Sequence, residues 1–212
     1  MVALLTAVFL LLAGRVSYWQ AWVFGFVNLG LVFGVSVALS GQADLIRQRM
    51  KPAKGTKAWD RVLMAVFFPA TTAVLVVAVL DGGRFQWSGG LPLFLYPVLY
   101  VAYVLGAYLH LWSIRSNPFY TSTVAVRPDA GHEVVGTGPY RLVRHPGYIG
   151  IILMEGGIAA VLGSTLALIP AAVVAALLIV RTHLEDRALR LELPGYEAYA
   201  RTVRYRLIPR IW

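Results

Sequence analysis

The 212-residue chain contains 58% hydrophobic and only 14% charged residues, with a mean hydropathy of +0.68. Soluble domains average about 45–50% apolar and about 25% charged residues, so this composition excludes an ordinary soluble protein. The sequence has no cysteine, which excludes disulfides, thiol nucleophiles and cysteine-ligated metal centres. The net charge of +9 comes from basic residues placed between apolar runs, where anionic lipid headgroups are the expected partner and nucleic acid is not.

Uncharged segments along the chain predict an all-α integral membrane protein with about six transmembrane helices. A bilayer core of about 30 Å needs about 20 apolar residues in a helix. The predicted spans cover residues 1–14, 18–40, 60–80, 92–114, 147–162 and 165–181. The first span is short, but it lacks the basic flank of a signal peptide and a second apolar run follows it directly. The last two are too long for a single span, and we expect a helical hairpin that turns near Gly163.

Basic residues fall almost entirely on one side of these six predicted spans. Seventeen of the nineteen Lys and Arg residues lie in segments 41–61 and 115–145 or after residue 180, and only Arg15 and Arg84 lie on the other side. Cytoplasmic loops of membrane proteins are enriched in Lys and Arg. The distribution therefore predicts an even number of spans and a cytoplasmic location for both termini.

The residues with chemical potential are concentrated in the second half of the chain. We predict that residues 1–114 form a scaffold of four helices that gives access to lipid. Residues 115–212 comprise a cytoplasmic loop, the hairpin 147–181 and C-terminal helices. We expect this second region to bind a cofactor on the cytoplasmic side of the membrane.

A polar block precedes the predicted hairpin. Pro146 is typical of the first turn of a helix, and Arg144 and His145 come directly before it. A helix N-terminus attracts an anionic group, while the flanking rings of Tyr140 and Tyr148 attract cations. These features suit a zwitterionic ligand. The alternative is a basic loop at the membrane surface with tyrosines at the interface.

A second polar block follows the hairpin. Arg181 and Glu185 are four residues apart and share one face of a helix. Such a pair is usually a surface ion pair of little energetic weight. The hairpin, however, folds this pair back beside residues 145–148, and we predict that the two blocks converge.

Four further polar residues are candidates for a function. Glu155 lies inside a predicted span, where a carboxylate is a functional candidate. We interpret it as a packing contact, because the two glycines that follow it favour close helix approach. No His-x-x-x-His or Glu-x-x-His pattern supports His132 or His183 as a metal ligand, so no metal site is predicted. We expect His110 to hydrogen-bond a backbone carbonyl.

Roughly the last hundred residues resemble the isoprenylcysteine carboxyl methyltransferase family and its phospholipid methyltransferase relatives. The resemblance is carried by the combination of several motifs at matching spacing. These motifs are His132-Glu133-Val134-Val135, Gly138-Pro139-Tyr140, Arg144-His145-Pro146-Gly147-Tyr148, the Arg181/Glu185 pair, and an ending that runs from Pro194-Gly195-Tyr196 to Arg204-Tyr205-Arg206-Leu207-Ile208-Pro209.

The resemblance implies S-adenosylmethionine (SAM) as cofactor, held in a cytoplasmic pocket capped by the C-terminal helices. By motif, Glu185 binds the cofactor and Arg181 faces the methyl acceptor as the catalytic residue. The remaining cofactor-binding positions are His132, Glu133, Val134, Val135, Tyr140, His145, Pro146, Gly147 and Tyr148. Family members often carry a glutamine upstream of the position of His132, and this sequence has Ala125-Val126-Arg127 there.

The expected activity is SAM-dependent methyl transfer to a lipid or lipidated acceptor that enters from the bilayer. A carboxylate acceptor, as in isoprenylcysteine carboxyl O-methylation, needs only positioning and a cation. An amine acceptor, as in phospholipid N-methylation, must first lose a proton. The alternatives are an NADPH-dependent enzyme of the sterol-reductase type and a non-enzymatic membrane protein. The sequence identifies neither the acceptor nor the oligomeric state.

Overall fold

The computed structural model of the protein describes residues 1–41, 55–126 and 131–212. Among these residues it contains α-helices and short helical turns and no strands. The α-helices are α1 (Val2–Ala13), α2 (Trp19–Ala38), α3 (Ala58–Ala78), α4 (Tyr96–Ser116), α5 (Pro146–Val161), α6 (Leu168–Glu192) and α7 (Tyr196–Thr202). The cytoplasmic cations predicted at Arg47, Arg49, Lys51, Lys54 and Arg127 lie outside the described residues.

Four helical segments are long and apolar enough to cross a membrane. They are Trp19–Ala38, Ala58–Phe85, Leu93–Ser116 and Leu168–Glu192. Most of each segment is not buried inside the protein, as expected for apolar helices that face lipid. The all-helical membrane fold is therefore confirmed. The two shorter apolar helices, α1 and α5, match the positions of the first and fifth predicted spans, and the count of six spans stays a prediction.

The last predicted span differs from the observed helix in its length. The sequence predicted a span over 165–181, whereas α6 continues to Glu192. The extension is amphipathic: Thr182, Asp186 and Ala188 are buried, and His183 and Arg187 are exposed. An ion pair between Asp186 and Arg190, four residues apart, supports the helix beyond its apolar part.

The described residues divide into two units. The first comprises 1–40, 68–107 and 152–175, and the second comprises 41–67, 108–151 and 176–212.

The turn of the predicted hairpin lies in the first unit. Gly163 there has a φ of +80°, a left-handed conformation that favours glycine. The next residue, Ser164, donates a hydrogen bond from its hydroxyl to buried Asp81 at 2.5 Å. Asp81 also accepts hydrogen bonds from the backbone N–H (2.8 Å) and the hydroxyl (2.6 Å) of Ser88. The predicted turn near Gly163 is confirmed, and a carboxylate that the sequence analysis did not single out stabilises it.

The first unit also contains the intramembrane carboxylate Glu155. A Cβ added at Gly157 would lie only 3.0 Å from the Cβ of Tyr103, whereas one added at Gly156 would meet open space. The close helix approach predicted for the glycine pair is thus confirmed at Gly157. One oxygen of Glu155 is buried without a hydrogen bond from the described residues, and the interpretation of its role as a packing contact stays a prediction.

We predict that Glu155→Gln leaves the methyl transfer expected from the family resemblance nearly unchanged. The amide keeps the shape of the side chain, and the residue that Gly157 contacts is Tyr103, not Glu155. The measurement is the steady-state rate of the purified variant beside its thermal unfolding midpoint. A severe loss of rate with an unchanged midpoint would contradict the packing interpretation and place Glu155 in the mechanism.

Candidate functional site

A pocket in the second unit gathers residues from five parts of the chain. It encloses about 810 Å³ of space including its open mouth. Its walls come from the segment after α4, residues 132–135, the start of α5, the charged end of α6, and α7. The lining residues are Asn117, Phe119, Tyr120, Thr121, Thr123, Val124, Ala125, Val126, His132, Glu133, Val134, Val135, Tyr140, Arg144, His145, Gly147, Tyr148, Arg181, Glu185, Leu189, Leu193, Tyr196 and Tyr199.

Ten of the eleven predicted site residues line this pocket. They are His132, Glu133, Val134, Val135, Tyr140, His145, Gly147, Tyr148, Arg181 and Glu185. Pro146 does not line it. Pro146 is the first residue of α5. Proline has no backbone N–H, and at the first position of a helix this costs nothing, because an N–H there has no partner within the helix. The structure therefore gives Pro146 a place in starting the helix.

The two polar blocks that flank the hairpin converge, as predicted. Tyr148 donates a short hydrogen bond from its hydroxyl to Glu185. The guanidinium of Arg181 lies over the Tyr148 ring, 5.3 Å from its centre. The imidazole of His145 stacks on the same ring, with centres 5.7 Å apart and planes 4° apart. The Tyr148 ring therefore contacts a cation of the protein, the guanidinium of Arg181. The sequence analysis expected the ring to attract a cation of the ligand.

Asp186 is the centre of a buried ionic cluster next to the pocket. It is fully buried (0% exposed) and pairs with Arg144 at 2.7 Å, Arg206 at 3.0 Å and Arg190 at 3.2 Å. Tyr196 donates a hydrogen bond from its hydroxyl to the same carboxylate at 3.0 Å. A buried charge is tolerated only when paired and hydrogen-bonded in this way. The cluster joins α6 to α7 and to Arg144, which lies two residues before the start of α5.

Arg144 also binds the backbone of the C-terminal segment. Its Nη1 donates to the carbonyls of Val203 at 2.7 Å and Arg204 at 2.8 Å, and its backbone N–H donates to Tyr205 at 2.9 Å. The sequence analysis counted Arg144 as a cation poised at an anion-binding helix end. This interpretation is wrong for Arg144, because its guanidinium is satisfied by Asp186 and by backbone carbonyls.

Arg181 forms a second buried ion pair, with Asp60 of α3. The Arg181 Nε lies 2.8 Å from the Asp60 carboxylate, and Nη2 donates to the carbonyl of Ser122 at 2.9 Å. Asp60 is 0% exposed and lies outside the pocket lining. The sequence analysis missed it, because nothing along the chain links the start of the third span to a residue about 120 positions later.

Tyrosines form much of the pocket wall and stay protonated at neutral pH. The pKa of Tyr120 is raised to about 12. Burial is the main cause, while the nearby charge of Arg181 lowers the pKa and that of Glu185 raises it. Burial likewise raises the pKa of Tyr140 and brings that of Tyr199 to about 12. As a neutral phenol, Tyr199 donates a hydrogen bond to the backbone carbonyl of Tyr140 at 2.8 Å. Tyr120 and Tyr199 were not predicted as site residues.

His110 lies beside this wall and hydrogen-bonds the Gly147 carbonyl at 3.3 Å, as predicted. The described residues contain no group of three His, Asp or Glu side chains placed to hold a metal ion.

We predict that Asp186→Ala destabilises the protein by about 3–5 kcal/mol, the cost of leaving buried charges unpaired. Thermal unfolding in detergent measures this loss. Glu197→Gln is the matched control, because Glu197 pairs with Arg190 of the same cluster at 2.5 Å but is half exposed; an exposed pair contributes about 0–1 kcal/mol. Equal midpoints for the two variants would contradict the central place given to Asp186.

Residues 98–191 match the model of the Isoprenylcysteine carboxyl methyltransferase (ICMT) family. This segment is a little under half of the chain, and it contains most of the pocket lining but neither Asp60 nor α7. A comparison with curated proteins found no match. The family match confirms the resemblance drawn from the sequence motifs: the segment that builds most of the pocket is similar to the membrane methyltransferases of the ICMT family.

Proposed function

We propose that this protein is an integral membrane methyltransferase that uses SAM to methylate a lipid-linked acceptor, most like isoprenylcysteine carboxyl O-methyltransferases. One observation carries the proposal. Ten residues chosen from the sequence for cofactor and acceptor binding, all inside the segment that matches the family, line a single pocket.

The residues of the pocket fit SAM by their charge. Both arginines that line it are matched by buried aspartates, Arg144 by Asp186 and Arg181 by Asp60. The two carboxylates that line it, Glu133 and Glu185, form no ion pair within 4 Å with an arginine or lysine of the described residues, although Glu185 lies close enough to Arg181 for their charges to interact. These carboxylates favour a ligand with net positive charge, and SAM is such a ligand because its sulfonium and ammonium groups outweigh its single carboxylate.

Each predicted residue then has a role toward the cofactor. Glu185, held by the hydroxyl of Tyr148, binds an amino or ribose group. Residues 132–135 contribute partly through their backbone, and Tyr140, His145 and Gly147 enclose the methionine end. When bound, SAM supplies a methyl group on a positively charged sulfur, which a nucleophile can accept by direct displacement.

Arg181 is proposed to bind the acceptor. Its Nη2 donates to Asp60 and to the carbonyl of Ser122, its Nε lies within ion-pair distance of Asp60, and Nη1 makes no hydrogen bond among the described residues. Nη1 can therefore hold a carboxylate oxygen of the acceptor and keep it oriented. Such an acceptor is already a nucleophile, so orientation and exclusion of water are the contributions that it needs. A lipid tail on the acceptor would lie in the bilayer, and the acceptor would reach the pocket from the bilayer by passing between helices.

The topology belongs to the same proposal. The positive-inside distribution of Lys and Arg along the sequence supports a cytoplasmic location for both termini and for the pocket. An amine on a phospholipid is the alternative acceptor, since Glu185 is a carboxylate that could take the proton that an amine must lose.

Two binding measurements test the reaction class. Calorimetry on detergent-purified protein should give micromolar affinity for SAM and no binding of NADPH. Binding of NADPH alone would move the protein to the reductase class, and binding of neither would favour a non-enzymatic role. The acceptor is then tested with methyl-tritiated SAM and either N-acetyl-S-farnesyl-cysteine or phosphatidylethanolamine vesicles; transfer to the first alone supports the carboxylate proposal.

We predict that Glu185→Ala abolishes SAM binding, because it removes the carboxylate that is proposed to bind the cofactor. The measurement is calorimetric affinity, with Glu192→Gln as control. Glu192 lies two turns further along α6 and pairs with Lys57 at the surface. Unchanged affinity in Glu185→Ala would remove Glu185 from the cofactor site.

We predict that Arg181→Lys binds SAM as the wild type does but turns over more slowly. Lysine keeps a charge for Asp60 and loses the planar group that can hold two partners at once. The measurements are SAM affinity and the transfer rate in the same preparation. Equal losses of both would make Arg181 a cofactor ligand and not an acceptor ligand.

A further inference from the structure

Asp60 is a buried carboxylate to which neither the motifs nor the family match assigns a role. It lies in the first turn of α3, before the segment that matches the family, and its side chain is 0% exposed. A carboxylate in this place is stabilised by the helix N-terminus. That stabilisation alone does not account for full burial, which requires further partners.

The partners of Asp60 are a residue of the pocket and a segment of its wall. One carboxylate oxygen lies 2.8 Å from the Nε of Arg181. The other accepts the backbone N–H of Val124 at 2.7 Å and lies 3.4 Å from Arg181 Nη2. Both Val124 and Arg181 line the pocket. Asp60 therefore lies outside the pocket and contacts two of the residues that line it.

The same wall segment binds the arginine. Arg181 Nη2 donates to the carbonyl of Ser122 at 2.9 Å, while the backbone N–H of Lys57 donates to the carbonyl of Val124 at 3.1 Å. Asp60, Arg181 and residues 122–124 thus form one closed set of hydrogen bonds. Rotation of the guanidinium would break at least two of these bonds, so the set fixes its plane.

We propose that Asp60 is a positioning residue of the reaction: it orients Arg181 so that the remaining Nη1 group is available to the acceptor, and it balances the arginine charge. The inference rests on the proposed function, because it takes Arg181 as the acceptor ligand. Asp60 itself touches neither substrate nor cofactor and acts only through Arg181 and the wall segment.

The first arm of the test measures the orientation of Arg181 without any reaction. Phenylglyoxal bridges the two terminal nitrogens of an arginine, and modification at Arg181 is followed by mass spectrometry of the full-length protein. In Asp60→Asn we expect modification about tenfold faster than in the wild type, the factor expected from losing one hydrogen bond between charged groups. Glu192→Gln, which breaks the exposed Lys57–Glu192 pair between the same two parts of the chain, should react at the wild-type rate.

The second arm measures the consequence for methyl transfer from tritiated SAM to N-acetyl-S-farnesyl-cysteine. Asp60→Asn should lower kcat by about 10- to 100-fold, the range for a reacting group misplaced by about 1 Å. SAM affinity and the KM of the acceptor should stay near the wild-type values. In the double variant Asp60→Asn/Arg181→Lys the losses should not add, because both changes act on one interaction.

The outcomes separate this inference from the proposed function. Unchanged modification and unchanged kcat in folded Asp60→Asn would overturn the inference, as would faster modification with unchanged kcat, or losses that add in the double variant. Absence of SAM binding or transfer in the wild type would refute the proposed function, and the role of Asp60 in catalysis with it, while the modification rates would still decide whether Asp60 orients Arg181. Should Asp60→Asn fail to fold, Asp60→Glu keeps the charge, moves it by one methylene, and is expected to lose kcat in a folded protein.

Discussion

The pocket depends on one buried ion pair, between Arg144 and Asp186. Asp186 is fully buried and takes three arginines and a tyrosine hydroxyl as partners. Arg144 in turn holds the carbonyls of the C-terminal segment. An apolar cluster around Leu193, Tyr196 and Ala200 also packs the end of α6 against α7. The ion pair adds the segment before α5 and the C-terminal segment to this packing, so it connects three of the parts that build the pocket.

The geometry of α6 explains how one helix serves both the ionic cluster and the pocket. Successive residues of an α-helix point about 100° apart. Fixing Asp186 in the cluster therefore fixes the direction of its neighbour Glu185, which lines the pocket and accepts the hydroxyl of Tyr148. Arg181, four residues before Glu185, lies on the same face. A buried structural contact thus sets the orientation of the two charged side chains proposed to bind cofactor and acceptor.

The sequence was sufficient for the helices and for most of the pocket, because both leave local signals. Apolar runs located the helices, and the motifs at 132–135 and 144–148, together with Tyr140 and the Arg181/Glu185 pair, predicted ten lining residues. Partners that are distant along the chain left no such signal. Asp60 is an ordinary acid at a helix start until the fold places it against Arg181. Asp186 has a local sign in the spacing to Arg190, but that spacing also describes a surface pair.

The charges around the pocket bear on which cofactor it holds. A nucleotide such as NADPH presents phosphates, and proteins usually meet them with arginines that have free donor groups. Among the described residues, each guanidinium nitrogen of Arg144 binds Asp186 or a backbone carbonyl, and the Arg181 guanidinium is paired with Asp60 and the carbonyl of Ser122. The carboxylates of Glu133 and Glu185 would repel phosphate and attract a sulfonium or ammonium. The pairing of arginine with aspartate behind the wall is therefore the feature that favours a cationic cofactor over an anionic one.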